Sequence, residues 1–404
     1  MNQVSKPEYS MMKNTRGWKN SRIPLGLVSV GLALAPGAAH AQGCIVARQS
    51  TPVVSEDPYL LRSEWQISAT YRTLRADTHF AGTEELTERR RMRNNVVNKQ
   101  QLLDIGVTHA VSRRLNLTLG IPILIYGGWS VPVPVAPPGQ RQVQSAEGLG
   151  DISLTGRYWL ADPDRHLRGN VELGLGIKAP TGNYNAKDRF PDANGTVFHV
   201  APVDQSIQPG DGGWGINLDL QAFQRVGSAT LFASGTYLVN PRNTNGTESS
   251  VLFLCGGTIP PNLRRFKFNS VPDQYLARVG VMAPVPRVKG LSVSVATRIE
   301  GVPAADLVGG SDGFRRPGYS VFIEPGVSYS TGAHTFSLNV PIATQRNLQK
   351  AMGDYQVDGT LADYIVLAGY SYRFGAHRRT AAHSPKDSGM PKPHDLFPTP
   401  DKPK

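Results

Sequence analysis

Leu115-Asn-Leu-Thr-Leu-Gly-Ile-Pro-Ile-Leu-Ile125 places Leu or Ile at every odd position, while Asn116, Thr118 and Gly120 fill the first even ones. Apolar residues that recur every second position mark a β-strand with one face in an apolar medium and one in a polar medium. Asp151-Ile-Ser-Leu-Thr-Gly-Arg-Tyr158, Leu291-Ser-Val-Ser-Val-Ala-Thr-Arg-Ile-Glu300 and Thr335-Phe-Ser-Leu-Asn-Val340 alternate in the same way. Twelve such stretches begin near Glu64, Gln100, Leu115, Gly148, Gly169, Gly213, Ser228, Asp273, Gly290, Gly318, Ala333 and Leu361. Helical spacing is scarce.

The connections between these stretches alternate long and short. Long segments run from Leu74 to Val97, Gly127 to Glu147, Thr181 to Asp211, Pro241 to Val271, Ala304 to Pro317 and Asn347 to Thr360. Between them lie the brief turns Ser112-Arg-Arg114, Asp162-Pro-Asp-Arg165, Val226-Gly227, Val285 to Gly290 and Thr331-Gly332. A soluble sandwich has no reason for this alternation. A transmembrane barrel has one, because its periplasmic rim carries tight turns and its outer rim long loops. The expected fold is therefore all-β, an antiparallel up-and-down transmembrane β-barrel of about twelve strands over residues 63–374. No run reaches about 18 apolar residues, so no span as a helix is expected. Aromatics on the apolar faces fall into two groups: Tyr71, Trp214, Tyr237, Tyr275, Tyr319 and Tyr364 toward the outer rim, and Trp65, Tyr158, Tyr329, Tyr370, Tyr372 and Phe374 toward the periplasmic one. Such girdles mark the two interfaces of a bilayer.

With the apolar faces turned to lipid, the polar faces line the lumen. Its expected cations are Arg72, Arg157, Lys178, Arg225, Arg278, Arg298 and Arg373; its anions are Asp104, Asp151, Glu172, Asp219, Glu300 and Glu324, with Glu64 and Asp363 in addition. These signs nearly cancel, so an interior partly filled by paired side chains is expected. Gly106, Gly174, Gly176, Gly280 and Gly326 on the same face relieve crowding there.

Residues 1–41 read as a secretory signal: a basic start, an apolar stretch from Ile23 to Ala35, then Ala39-His-Ala41 before a cut at Gln42. Met11 or Met12 would give a start of more ordinary length. Export makes Cys44 and Cys255 candidate disulfide partners. Ala41-Gln-Gly-Cys44 lacks the pattern of a lipidation site, and no His cluster accompanies either cysteine as a zinc site would require. Residues 42–62 are either a periplasmic tether or a lumen plug; twenty extended residues cover about 66 Å, enough to bring Cys44 to Cys255 in an outer loop. Residues 375–404, rich in Pro, Lys and Asp, are expected to be a disordered periplasmic tail.

The full chain has 404 residues and a formal charge of +12, with 18% charged residues. Without the signal, 38 basic face 30 acidic residues, +8, spread over rims and tail, which does not suggest nucleic acid as a partner. Arg89-Arg-Arg91, Arg93 and Arg264-Arg265 in the loops face outer-membrane lipid and lipopolysaccharide as expected partners. No nucleophile elbow, zinc helix or phosphate loop occurs, and no enzyme, metal or cofactor is expected. His109 and His334 fall at the periplasmic rim, His79 and His199 in outer loops.

Gly369-Tyr-Ser-Tyr372-Arg-Phe374 resembles the terminal signal read by the outer-membrane barrel assembly machinery, although the chain continues past Phe374 and Leu367 stands where that signal has a polar residue. Gly148-Leu-Gly-Asp151, followed by Ser153 and Arg157-Tyr158, resembles the outer-membrane proteins of the MetA-pathway of phenol degradation family, which are similar to transporters of long-chain fatty acids and aromatic hydrocarbons. The resemblance implies a channel or transporter for passive uptake of small, hydrophobic or aromatic molecules. The competing expectation is a structural or adhesive barrel with a closed lumen and partner-binding outer loops.

Overall fold

The computed structural model describes residues 58–134, 138–192, 194–250, 259, 261–351, 355–356 and 358–375. The signal segment, the Cys44–Cys255 pairing, most of the tether or plug and the tail lie outside the described residues. Twelve antiparallel staves close into one barrel: β1 (Trp65–Ala81), β2 (Val97–Ala110), β3 (Leu115–Val133), β4 in two pieces (Gln140–Leu149 and Ser153–Trp159), β5 (Gly169–Lys178), β6 (Gly215–Val226), β7 (Ala229–Val239), β8 (Gln274–Pro284), β9 (Leu291–Val302), β10 (Gly318–Thr331), β11 in two pieces (His334–Asn339 and Ile342–Leu348) and β12 (Gly359–Phe374). Each pairs with the next, and β12 returns to β1 in register from Trp65 opposite Phe374 to Phe80 opposite Gly359. Closure pairs both edges of the wall over most of its height; among the described residues Gln140–Leu149 pairs on one side only, and Ile342–Leu348 meets β12 at Ile342 opposite Tyr364.

The alternation read from the sequence acquires its direction here. On β5, Leu173, Leu175 and Ile177 face outward and Leu175 is 64% exposed, whereas Glu172, just before them, is 4% exposed. β10 repeats this, with Ile323, Val327 and Tyr329 exposed outside and Glu324 buried inside. Apolar outside and charged inside is the inverse of a soluble barrel and matches a wall against hydrocarbon. At the short-turn rim, Trp65, Tyr158, Tyr329, Tyr370, Tyr372 and Phe374 stand exposed, and Trp65 packs on His109 with ring centres 4.2 Å apart. At the other rim Trp214 and Tyr364 are exposed, and Tyr237 stacks on Tyr275 at 6.5 Å.

Several sequence expectations change. The Pro-rich stretch from Gly127 is not a loop throughout: β3 continues to Val133 and pairs with Gln140–Leu149, so this hairpin rises above the wall. Gly148-Leu-Gly-Asp151 does not open a strand; it ends the first piece of β4 at Leu149, with Gly148 at φ +141°, and runs into the bend that leads to the second piece at Ser153. Gly150 N–H donates to the Pro122 carbonyl at 2.8 Å, and the ladder resumes only at Ser153 opposite Gly120. Two glycines supply no side chains to hold the ladder straight, which is why alternation alone did not reveal the bend. A second break falls at Val340-Pro341, where proline cannot donate to the ladder; Ile365 N–H donates to the Pro341 carbonyl at 2.9 Å instead. His79 is not in a loop: β1 runs on to Ala81, and His79 is buried between Asp358, 2.5 Å from Nδ1, and the Val96 N–H, 2.8 Å from Nε2.

The long connections are themselves folded. Lys187–Pro191 pairs with Phe198–Pro202, and Thr244–Glu248 with Phe268–Ser270. Two apolar clusters hold them: Trp129, Val131, Val133, Phe190, Val203 and Ile207, and a second of Phe80, Phe266, Phe314, Leu348 and Leu361.

Candidate functional site: a path through the barrel

The interior staves bring the sequence-read charges together in groups. Arg157 on β4 donates to Asp219 on β6 at 2.7 Å and to the Thr118 hydroxyl at 2.8 Å, and Thr236 donates to the other Asp219 oxygen at 2.9 Å. Gly174 lies between the two strands in register, and a Cβ there would come within 2.8 Å of Asp219 Cβ, so the glycine makes room for the pair. Glu172 accepts from Asn116 at 3.0 Å. On the facing wall Arg278 and Arg298 stand directly opposite each other, a repulsive arrangement that Glu324 and Glu300 offset. Arg278 pairs with Glu324, and Arg298 with Glu300 at 2.6 Å and Glu324 at 3.6 Å.

Lys178 pairs with Asp211 and lies 3.6 Å from Asp151. Asp151, in the bend of β4, accepts from the backbone of Gly182 and Asp211, each at 2.9 Å, and so ties two outer segments to the wall. Arg225 lies over the Phe223 ring near the periplasmic end. Arg373 donates to Gln66 at 3.0 Å and to the Tyr59 carbonyl at 3.2 Å. Arg72 and Asp104 face inward on β1 and β2. Asp363 instead sits half exposed at an irregularity of β12, paired with Arg346.

The interior is not uniformly charged: apolar side chains interrupt the charges, with Arg72 set directly between Leu102 and Leu367. Leu74, Phe322, Ile365 and Leu367 pack together with Ala76, and Leu102 and Leu124 lie on the far side of Arg72. Leu367, which departs from the assembly-signal pattern, belongs to this cluster. Alternation told inside from outside, but the interior apolar residues share the phase of the charged ones, so only tertiary contact shows that they adjoin.

Both ends of the path are narrowed. From the periplasmic side Tyr59 enters the barrel against Trp159 and Phe223, ring centres 4.9 and 5.5 Å away, and its hydroxyl donates to the His166 carbonyl at 2.7 Å. Tyr59 lies in residues 42–62, and its burial there was not read from the sequence. At the outer end the segment Asp204–Gln208 folds onto the inner wall. Asn98 and Gln100 of β2 donate to Ser206 at 2.5 and 2.7 Å, and Ile207 fits against Gly127, where a Cβ would lie 2.9 Å from its own. The segment is then fastened to the far wall: Arg316, two residues before β10, donates both terminal nitrogens to Asp204 at 3.0 and 2.7 Å, and Gln205 donates to the Ser270 carbonyl at 2.8 Å. Burial disfavours the charge on Asp204, but Arg316 and the Ser206 hydroxyl outweigh it and hold the carboxyl below its ordinary pKa. Asp204-Gln-Ser206 carries a recognisable capping pattern; nothing in the sequence points to Arg316, 112 residues away.

Outside this segment the folded loops border an open cavity of about 710 Å³. Trp129, Phe190, Phe268 and Val200 give it apolar walls, and Lys187, Glu248 and His199 are polar groups on its lining. Among the described residues no group of three or more His, Cys, Asp and Glu is arranged to hold a metal ion.

A closed barrel with lipid-facing apolar residues, a charged interior, tight turns at one rim and folded loops at the other is an outer-membrane β-barrel. Its fold matches a COG4313 outer membrane channel from Pseudomonas putida F1 at a TM-score of 0.51 and 12% identity, over 82% of this chain and 100% of that one. A Pseudomonas aeruginosa FadL homologue (TM-score 0.38, 9% identity, 82% and 98% coverage) and the P. putida toluene transporter TodX (0.38, 9%, 78% and 91%) are more distant in shape. No family model and no curated protein matches the sequence.

Proposed function

We propose that the protein is an outer-membrane channel for passive uptake of small hydrophobic or aromatic molecules. The observation that carries this reading is the apolar cluster of Leu74, Phe322 and Ile365, with Leu102 and Leu124 on the far side of Arg72, on an otherwise polar and charged inner wall. A lumen for inorganic ions has no use for such a surface, whereas a hydrophobic or aromatic solute gains by leaving water beside it. The aromatic cavity between the outer loops supplies a place of capture, and the Asp204–Gln208 segment lies between the two. The resemblance of the Gly148-to-Tyr158 stretch to the MetA-pathway of phenol degradation family points to the same class of solute. The COG4313 protein that shares the fold is itself named a channel.

Proteoliposomes containing the barrel should take up a radiolabelled monoaromatic faster than empty vesicles. Leu74→Asp combined with Phe322→Asp should slow that uptake by at least about tenfold, since each buried apolar side chain contributes on the order of 1.5–3 kcal/mol. Equal uptake by both barrels would refute the cluster as part of the path. In planar bilayers a steady small conductance is expected; silence from a correctly folded barrel would favour a closed, adhesive one.

A further inference from the structure

The outward face of β1 and β2 changes character above its apolar band. From Trp65 through Ile67 to Tyr71 the outward residues of β1 are apolar, and the stripe then ends at Arg75, whose side chain is 54% exposed. Arg75 stands directly opposite Lys99 of β2, also exposed and in no ion pair among the described residues. Like charges facing each other across an antiparallel pair repel. Arg90, on the short helix after β1, brings a third exposed cation to the same place, and Arg141 is close enough to feel the Arg75 charge. Among the described residues one carboxylate pairs with them: Asp77 takes Arg75 at 2.8 Å and Arg90 at 3.3 Å.

Height identifies what faces this group. Ten residues separate Trp65 in the periplasmic girdle from Arg75, and ten strand residues tilted by about 40° rise about 25 Å, the height of the apolar band. Arg75 and Lys99 therefore point sideways, into the headgroup layer of the outer leaflet, with exposed Ile125 and Tyr126 on neighbouring β3. We infer that Arg75, Lys99 and Arg90 form a binding site for the phosphorylated headgroup of an outer-leaflet lipopolysaccharide. Its phosphates meet the cations that Asp77 leaves uncompensated, and its acyl chains lie on the apolar wall below. A dissolved anion has no need of that wall, so the lateral position selects the lipid. The site depends on the barrel lying in a membrane and not on what passes through it.

The test uses the full chain in detergent, comparing wild type with the double variant Arg75→Gln/Lys99→Gln and the charge-preserving Arg75→Lys/Lys99→Arg. Native mass spectrometry counts bound diphosphoryl lipid A, with dephosphorylated lipid A and inorganic phosphate as parallel probes. Removing two cations at about 1 kcal/mol each should weaken diphosphoryl lipid A about 30-fold, while the charge-preserving variant keeps it. Dephosphorylated lipid A should bind wild type as weakly as the intact lipid binds the double variant. Should the double variant misfold, judged by loss of heat-modifiable migration, Arg90→Gln alone must still lower binding about fivefold. Wild-type affinity in a folded double variant overturns the site. Displacement of the lipid by millimolar inorganic phosphate would overturn the lipid as its occupant.

Discussion

Arg157 and Asp219 show how strongly a barrel interior constrains single residues. Both are almost fully buried, and each satisfies the other's charge. Replacing Arg157 with Met leaves Asp219 uncompensated, and breaking such a pair typically costs about 3–5 kcal/mol; the temperature at which the barrel loses its compact gel migration should fall markedly. Converting both partners to apolar residues of similar size should cost much less, so a double variant no more stable than Arg157→Met would contradict the pairing. Gly326 poses the complementary constraint. A Cβ there would sit 2.2 Å from Asn339 Oδ1 and 2.6 Å from Ser294 Oγ. Gly326→Val should destabilise by about 1–3 kcal/mol through overpacking, read by the same gel shift. The face of Gly326 is legible from alternation. Its crowding is not, because Asn339 and Ser294 reach it from the strands on either side.

The outer segment Asp204–Gln208 is the element on which passage turns. Its fastening joins β2 and β3 on one wall to Arg316 on the other through Asp204. Asp204→Asn keeps the side-chain shape and removes the charge, so conductance in planar bilayers should rise and become noisier as the segment detaches. The pH dependence follows from the direction of the shift. Because the folded carboxyl is held below its ordinary range, the fastening is fully present above about pH 4, the unfolded value, and is lost only as pH falls through the lower folded one. Conductance should therefore stay flat from pH 7 to about 4 and increase below that. A rise already at pH 6 would show that some other group controls the segment. The sequence presents this element as part of a long loop; its inward fold depends on Asn98, Gln100 and Gly127, which read only as ordinary strand positions.

At the scale of the whole molecule the barrel is narrowed at both ends by its own chain, with Tyr59 below and Asp204–Gln208 above, and an apolar cluster on the wall between them. Tyr59→Ala opens the lower constriction without touching a charged group. It should raise monoaromatic uptake into proteoliposomes if release to the periplasm limits the rate, and leave uptake unchanged if the upper segment limits it. Combining it with Asp204→Asn distinguishes the two, since the double variant exceeds either single one only when both ends resist passage. The same molecule heated before electrophoresis should migrate more slowly than unheated, as a closed twelve-stranded barrel must unfold to bind detergent along its length.

Local pattern determined the wall. Strand period, the alternation of long and short connections and the aromatic girdles are properties of neighbouring residues, and they were enough to give twelve staves and an apolar exterior. Tertiary structure decided the path. The bend at Gly148–Asp151, the meeting of Arg157 with Asp219, the gathering of Leu74, Phe322 and Ile365 on the inner wall, and the reach of Arg316 to Asp204 all depend on which staves face one another across the closed barrel. Periodicity within a strand carries the phase of a side chain, but it holds no information about what stands opposite.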